Sequence, residues 1–222
     1  MILAASLAGP LALSFDKKVA FYTKWKWVFP AMLLPAIFYI AWDAWFTARG
    51  IWSFNGDYIT GMQRFGLPVE EILFFFVVPY CCIFIYECIR CYFPATGSSR
   101  FADRFLQVLA VALLVAGIFF HERAYTFYTF IFLSATLFLL FLFRKYFPGF
   151  RSAVFLISYA IILFPFLMVN GFLTAIPVVL YNNAENMDFR IYTIPLEDIF
   201  YGMLLILLNI VLFEKLRGNK VP

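Results

Sequence analysis

Residues 67–76 read Leu-Pro-Val-Glu-Glu-Ile-Leu-Phe-Phe-Phe, and residues 194–201 read Ile-Pro-Leu-Glu-Asp-Ile-Phe-Tyr. The two stretches lie 127 residues apart and share a proline, a pair of acids and a run of large apolar side chains. Proline followed closely by an acid is a common helix start, because the helix dipole favours negative charge in the first turn. Each stretch therefore predicts the beginning of an apolar helix, and their likeness predicts a duplicated chain.

The composition places these helices in a membrane. Of the 222 residues, 64% are hydrophobic and 14% are charged, and the mean hydropathy is +0.88. A soluble core of this size cannot enclose 31 Phe, 13 Tyr and 5 Trp, whereas a bilayer accommodates apolar side chains across its whole thickness. The composition therefore argues against a disordered protein, a nucleic-acid binder and a secreted disulfide scaffold.

Seven apolar stretches are candidates for membrane-spanning helices, which need about 20 residues each. The predicted fold class is an all-α membrane protein with about seven transmembrane helices. The first stretch lacks a basic leader and a convincing cleavage site, so we expect it to be retained and not removed as a signal peptide. The seven stretches cover residues 1 to 15, 27 to 47, 69 to 92, 105 to 120, 126 to 143, 151 to 173 and 195 to 216.

Lys and Arg residues concentrate in alternate loops, with thirteen in one set of loops and four in the other. Because cytoplasmic loops carry the excess of these residues, we predict an external N-terminus and a cytoplasmic C-terminus, in a bacterial inner membrane. The net charge of +4 is then a topology signal and not a site for an anionic partner. The richer set is Lys17, Lys18, Lys24, Lys26, Arg90, Arg100, Arg104, Arg144, Lys145, Arg151, Lys215, Arg217 and Lys220.

An internal repeat relates the two halves of the chain. Residues 43–90 overlay residues 170–217 without a gap, and the basic pair at 17–18 overlays the pair at 144–145. One helix separates two three-helix units, so both units run in the same direction and both acidic motifs lie on one face. The predicted organisation is a first three-helix repeat over 1–92, a linking helix 4 with its loops over 93–125, and a second repeat over 126–222.

The two motifs place four carboxyl groups at the edge of the hydrocarbon, on Glu70, Glu71, Glu197 and Asp198. Their simplest interpretation is a favourable helix start, worth roughly 0.3 to 1 kcal/mol for each acid. The second acid of each pair and the apolar run behind it favour a functional role, because acids within a membrane are expensive. Neighbouring buried carboxyl groups do not both ionise at low cost, so we expect some of them to hold a proton near neutral pH.

Asp43 lies near the end of the second helix, on the same predicted side as the acidic motifs, and its repeat mate is the uncharged Asn170. Asp43 is either an interfacial acid that faces water or part of a site built asymmetrically between the halves. The nearby Trp42, Trp45 and Trp52 are interpreted as an interfacial aromatic belt.

Two further acids and a cysteine pair are interpreted as structural. Glu87 and Glu214 lie at the predicted cytoplasmic ends, and each has an arginine three residues later, which predicts weak surface ion pairs. Cys88 and Cys91 form a CxxC pattern, but no second pair and no nearby histidine complete a zinc site. No GxGxxG fingerprint is present, so a dinucleotide-binding fold is not expected.

Over nearly its whole length the chain resembles the integral-membrane lycopene β-cyclase family. That family occurs as two small subunits or one fused chain in bacteria and archaea, and as the cyclase half of a fungal cyclase/phytoene synthase. The two repeats joined through helix 4 match the fused form. The motifs that carry the resemblance are the two acidic stretches, Ser14-Phe15-Asp16-Lys17-Lys18, Trp42-Asp43-Ala44-Trp45-Phe46 and Tyr125-Thr126-Phe127.

The resemblance implies an enzyme of carotenoid biosynthesis that cyclises the ψ end groups of lycopene to β-ionone rings, an isomerisation without net redox change. The implied partners are lycopene, the lipid bilayer and other carotenoid-biosynthesis enzymes, with no nucleic acid. No metal and no nicotinamide cofactor is expected, while a need for reduced flavin stays open. The alternatives are a carotenoid hydratase, another end-group cyclase, a proton-coupled membrane carrier and a non-catalytic carotenoid-binding protein.

The geometry of a helix separates the acids of each pair, because consecutive side chains point about 100° apart. We predict that Glu70 and Glu197, which are identical in the two repeats, are the catalytic proton donor and acceptor. Glu71, Asp198 and Asp43 are predicted to tune them and to stabilise the cation. The predicted substrate-binding residues are Phe74, Phe75, Tyr201 and Asn170.

Overall fold

The computed structural model describes residues 2–218, so Lys220 of the topology prediction lies outside the described residues. Within that range the chain forms the seven predicted helices and six very short strands. The helices are α1 (Ile2–Leu13), α2 (Trp25–Ala48), α3 (Val69–Tyr92), α4 (Arg100–Phe119), α5 (Ala124–Leu142), α6 (Ser152–Ala175) and α7 (Leu196–Arg217).

Six of these helices, α2 to α7, are long and apolar enough to cross a membrane, which identifies an integral membrane protein. Helix α1 is shorter than its predicted range of 1 to 15. Its 12 residues extend about 18 Å, which is less than the roughly 30 Å of the hydrocarbon core. A turn ends α1, because the side chain of Asp16 accepts hydrogen bonds from the backbone N–H groups of Lys18 and Val19. Helix α1 packs along α3, where the Ser14 and Tyr80 hydroxyls lie 2.6 Å apart.

The loops between α2 and α3 and between α6 and α7 have the same structure. The first contains β1 (Trp52–Phe54), β2 (Gln63–Arg64) and β3 (Leu67–Pro68), and the second contains β4 (Val179–Tyr181), β5 (Arg190–Ile191) and β6 (Ile194–Pro195). Each strand of the second loop lies 127 residues after its counterpart. Asn55 and Asn182 each cap a 3-10 turn by accepting a 3.1 Å hydrogen bond from the N–H two residues later.

Strands β1 and β4 pair antiparallel and join the two loops in a two-stranded ribbon. Ser53 stands opposite Leu180, its own repeat mate, so a pseudo-twofold axis passes through this pair. The ribbon places both loops, and with them both acidic motifs, at the same end of the helix bundle.

The two halves intertwine around the same axis. Helix α2 packs against α7 and α6 packs against α3, so the second helix of each half lies against the third helix of the other. Helix α7 is the most buried of the spanning helices. Helix α4 lies at the edge on α5 and leaves an apolar face uncovered, with Val108, Val111 and Val115 exposed.

The end of the bundle opposite the ribbon holds a buried ionic network, so the prediction of weak surface pairs is wrong. Glu87 and Glu214 are only 2% and 4% exposed. Arg217 reaches Glu87 at 2.8 Å, and Arg90 reaches Glu214, so two of the pairs cross between the halves. Lys24 adds a 2.6 Å contact to Glu87. Sequence spacing revealed only contacts within one helix, whereas packing of α3 beside α7 creates the contacts between helices.

Candidate active site

Three carboxyl groups from three helices meet beneath the ribbon. Asp43 of α2, Glu71 of α3 and Asp198 of α7 line one cavity of about 70 Å³. Asp43 and Asp198 are 2% and 4% exposed. The ribbon closes the cavity from above with four side chains, those of Trp52, Phe54, Val179 and Tyr181.

Asp43 and Glu71 are direct neighbours. Both carboxyl groups line the same small cavity, and the Tyr201 hydroxyl donates a 2.5 Å hydrogen bond to Oδ1 of Asp43. Two buried carboxyl groups in one cavity do not both ionise at low cost. We therefore expect one member of the pair to hold a proton.

Asp198 is surrounded by neutral donors. The Tyr125 hydroxyl donates to Oδ1 at 2.6 Å, while the Tyr181 hydroxyl and the Asn170 amide donate to Oδ2 at 2.8 and 3.3 Å. Burial raises the pKa of Tyr181 well above its usual value, so this loop residue remains a donor at physiological pH. Three donated hydrogen bonds stabilise a negative charge on Asp198.

Glu70 and Glu197 lie outside this cavity and have equivalent structural roles. Glu70 accepts a 2.8 Å hydrogen bond from the backbone N–H of Thr60, and Glu197 accepts one of the same length from Met187. Thr60 and Met187 are repeat mates, so each glutamate braces the loop before its own helix. Glu197 also accepts a 2.5 Å hydrogen bond from the Thr126 hydroxyl. The small cavity is thus lined by the second acid of each pair, Glu71 and Asp198, and not by the first.

Aromatic side chains form the wall around Asp43. The Tyr201 ring lies 4.8 Å from Tyr39 and 5.2 Å from Trp42, measured between ring centroids. Trp42 and Trp52 are buried, so the prediction that they belong to an interfacial belt is wrong. They point inward because α2 packs on α7 and because the ribbon folds back over the cavity.

The predicted substrate-binding residues divide into two groups. Tyr201, Asn170 and Phe74 line the cavity. Phe75 is fully buried and packs on Tyr39 with its ring centroid 5.4 Å away, which places it behind the cavity wall.

A second and much larger cavity, of about 1090 Å³, runs between α1, α3 and α6. We call it the α1–α3–α6 groove. It shares part of its lining with the small cavity, namely Phe54, Glu71, Phe74, Val78, Phe166, Asn170, Leu173 and Val179. The acids therefore lie at the inner end of a long apolar groove.

The lycopene cyclase family model matches residues 1–89 and 122–216, which covers most of the chain. The chain belongs to the lycopene cyclase family. The unmatched segment between the two parts contains α4, the helix that the repeat left unpaired.

Two curated relatives agree with this membership. Both are named lycopene beta-cyclase, come from two strains of Halobacterium salinarum, and are 49% identical to the chain over 47 residues. That alignment covers 21% of the chain and 20% of each relative, so it spans only about a fifth of the curated relatives' length. No solved structure matches the chain.

Sequence reasoning missed two of the three residues that donate hydrogen bonds to Asp198, namely Tyr125 and Tyr181. Tyr125 and Thr126 belong to a motif of the family resemblance, but nothing in the spacing assigned them to Asp198 and Glu197. Tyr181 is the repeat mate of Phe54, and its hydroxyl group, which Phe54 lacks, was the available signal.

Proposed function

We propose that the protein is a lycopene β-cyclase of carotenoid biosynthesis, an isomerase that converts ψ end groups to β-ionone rings without net redox change. The observation that supports this best is the meeting of Asp43, Glu71 and Asp198 in an aromatic-lined cavity that the ribbon covers and that adjoins an apolar groove. A long hydrocarbon lies in such a groove with only its end group among the acids.

The Asp43–Glu71 pair is the proton donor in this proposal. Cyclisation begins when a proton adds to the terminal double bond of the end group and leaves a tertiary cation. The shared proton of the pair supplies it, and Tyr201 stabilises the carboxylate that remains by its hydrogen bond to Asp43. The proton source is thus assembled from both halves of the chain.

Asp198 stabilises the cation and removes the last proton. The next double bond of the chain attacks the cation, closes the six-membered ring and moves the positive charge onto a ring carbon. A carboxylate held by Tyr125, Tyr181 and Asn170 attracts that charge and accepts the ring proton, which leaves the ring double bond. The rings of Trp52 and Tyr201, which line the cavity, favour the cation without bonding to it.

Exclusion of water favours ring closure over hydration. The ribbon covers the cavity with Trp52 and Phe54 from one half and Val179 and Tyr181 from the other. A water molecule at the cation would instead yield a hydroxylated acyclic product. The closed apolar cover therefore supports a cyclase over a hydratase.

We assign Glu70 and Glu197 to positioning, in place of the donor and acceptor roles that their identity in the repeats predicted. Each holds the loop that carries one ribbon strand. We also infer that the chain consists of two cyclase repeats, 1–92 and 126–222, joined by 93–125. The reaction transfers no electrons, so no metal or nicotinamide is part of this proposal, and lycopene in the bilayer is the proposed substrate.

The test is expression in cells that accumulate lycopene, followed by pigment analysis. The expected products are carotenoids with one or two β rings. A double variant, Asp43→Asn with Asp198→Asn, is the matched control and should leave lycopene unchanged while inserting normally. Hydroxylated acyclic products would favour the hydratase, and unchanged lycopene with wild-type protein present in the membrane would contradict an independent cyclase.

A further inference from the structure

The α1–α3–α6 groove follows α3 from Glu71 to Ile85. Fourteen residue steps along a helix correspond to about 21 Å, so the groove extends through most of the bilayer. Its charged side chains, those of Asp57, Glu70 and Glu71, all lie at the end near the small cavity. Among the residues that the structure describes, the rest of its lining carries no charged side chain.

The repeat predicts a second groove of the same shape between α5, α7 and α2, but larger side chains occupy that space. The position of Val169 in the groove corresponds to Trp42, that of Leu173 to Phe46, and that of Ser6 to Leu133. All three of the larger residues are buried.

Aromatic contacts fill the space between α5, α7 and α2, where the second groove would lie. The Trp42 ring packs 4.9 Å from Phe132 of α5 and 5.2 Å from Tyr201 of α7, and Phe46 packs 5.0 Å from Trp52. Over residues 2–218, the duplicated fold therefore has a groove for a long ligand on the α1–α3–α6 side, whereas the equivalent space on the other side is filled.

We propose that the α1–α3–α6 groove is the binding site for the polyene chain of an acyclic carotenoid, and that the end group reaches the acids only by this route. The inference rests on the proposed function, because the cyclase chemistry determines which end of the ligand meets Asp43 and Glu71.

Charge argues for a carotenoid and against a phospholipid as the occupant. A phospholipid with its phosphate beside the acid cavity would meet three carboxyl groups, which repel an anion, and one with its phosphate at the other end would meet no Lys or Arg in the described lining. A carotenoid has no charged group and fills the full length without that repulsion.

The test fills the groove by placing a tryptophan at Val169, because tryptophan is the residue at the equivalent position 42 of the other half. Val169→Trp should lower both cyclised product and the carotenoid that co-purifies with the protein at least about tenfold, because overpacking a site of fixed shape removes this much binding free energy. Val108→Trp on the exposed face of α4 is the matched control, and it should retain both properties of the wild type.

A second variant keeps the inference testable if Val169→Trp does not fold. Ser6→Leu, which copies Leu133, narrows the groove from α1, the opposite wall, and should produce the same two losses. Wild-type turnover and pigment retention in both variants would overturn the inference and assign the groove to lipid. Absence of ring formation in the wild type would count against the proposed function instead, so the two failures are distinguishable.

Discussion

The hydroxyl group of Tyr201 donates a 2.5 Å hydrogen bond to Oδ1 of Asp43, although the two residues lie 158 positions apart in the chain. The contact joins α7 of one half to α2 of the other. Its repeat equivalent would pair Phe74 with Asn170, and neither side chain of that pair carries an acidic group. The polar chemistry of the site is therefore asymmetric within a nearly symmetric frame.

Removing the acid from this contact should abolish most of the activity. Asp43→Asn keeps the volume but removes the exchangeable proton, so conversion of lycopene should fall roughly 10²-fold or more. Pigment analysis at matched protein levels provides the measurement. Asp188→Asn, at an exposed loop position, is the control and should convert lycopene like the wild type. Full activity of Asp43→Asn would contradict the proposal that Asp43 is part of the proton donor.

Glu70→Gln and Glu197→Gln should each retain activity within about tenfold of the wild type, because a glutamine carbonyl still accepts the loop N–H that each glutamate holds. The same pigment analysis measures this effect, with Glu71→Gln as the inactive comparison. A loss of roughly 10²-fold in both variants, with Glu71→Gln active, would instead restore the assignment predicted from the repeat.

Tyr181→Phe removes one of the donors to Asp198 while keeping the ring over the cavity. Phe54, its repeat mate, shows that a phenylalanine fits at the equivalent ribbon position. Initial rates should fall roughly 10- to 150-fold, since one hydrogen bond to a charged group contributes roughly 1.5 to 3 kcal/mol. Tyr192→Phe, at a side chain that is 82% exposed, is the control and should leave the rate unchanged.

Glu87→Gln should destabilise the protein strongly. The substitution leaves Lys24 and Arg217 without their buried partner, and breaking a buried ion pair costs about 3 to 5 kcal/mol. Thermal unfolding in detergent measures the change. Asp103→Asn removes the partner of Arg144 in a half-exposed pair and should shift the unfolding temperature little; equal effects of the two substitutions would argue against a structural role for the buried network.

Reporters inserted near Asn55 and near Asn182 should read the same side of the membrane, because the β1–β4 ribbon joins the two loops. The distribution of Lys and Arg predicts that this side is external. A reporter after Lys220 should read cytoplasmic. Opposite readings at the two loops would contradict the parallel repeat, whereas a shared internal reading would reverse only the predicted orientation.

Much of the architecture was readable from the sequence because its causes are local. Apolar stretches of sufficient length predict helices in a membrane, and Pro68 and Pro195 lie directly at the starts of α3 and α7. The 127-residue offset predicted that the two halves are related, and the structure adds that Asn55 and Asn182 each cap a turn in the two matching loops. The length of α1 was overestimated because hydropathy alone did not reveal the turn formed by Asp16.

The choice between the acids of each motif required the tertiary structure. Helical geometry states that Glu70 and Glu71 point about 100° apart, but it does not state which of them faces a neighbour. Packing of α2 against α7 and of α6 against α3 decides this, and it turns Glu71 and Asp198 inward while Glu70 and Glu197 meet the loops. The sequence by itself determined where the carboxyl groups lie along the helices. Only the contacts between helices decided which ones share a cavity, because a side chain's direction around its helix has meaning only relative to what packs beside it.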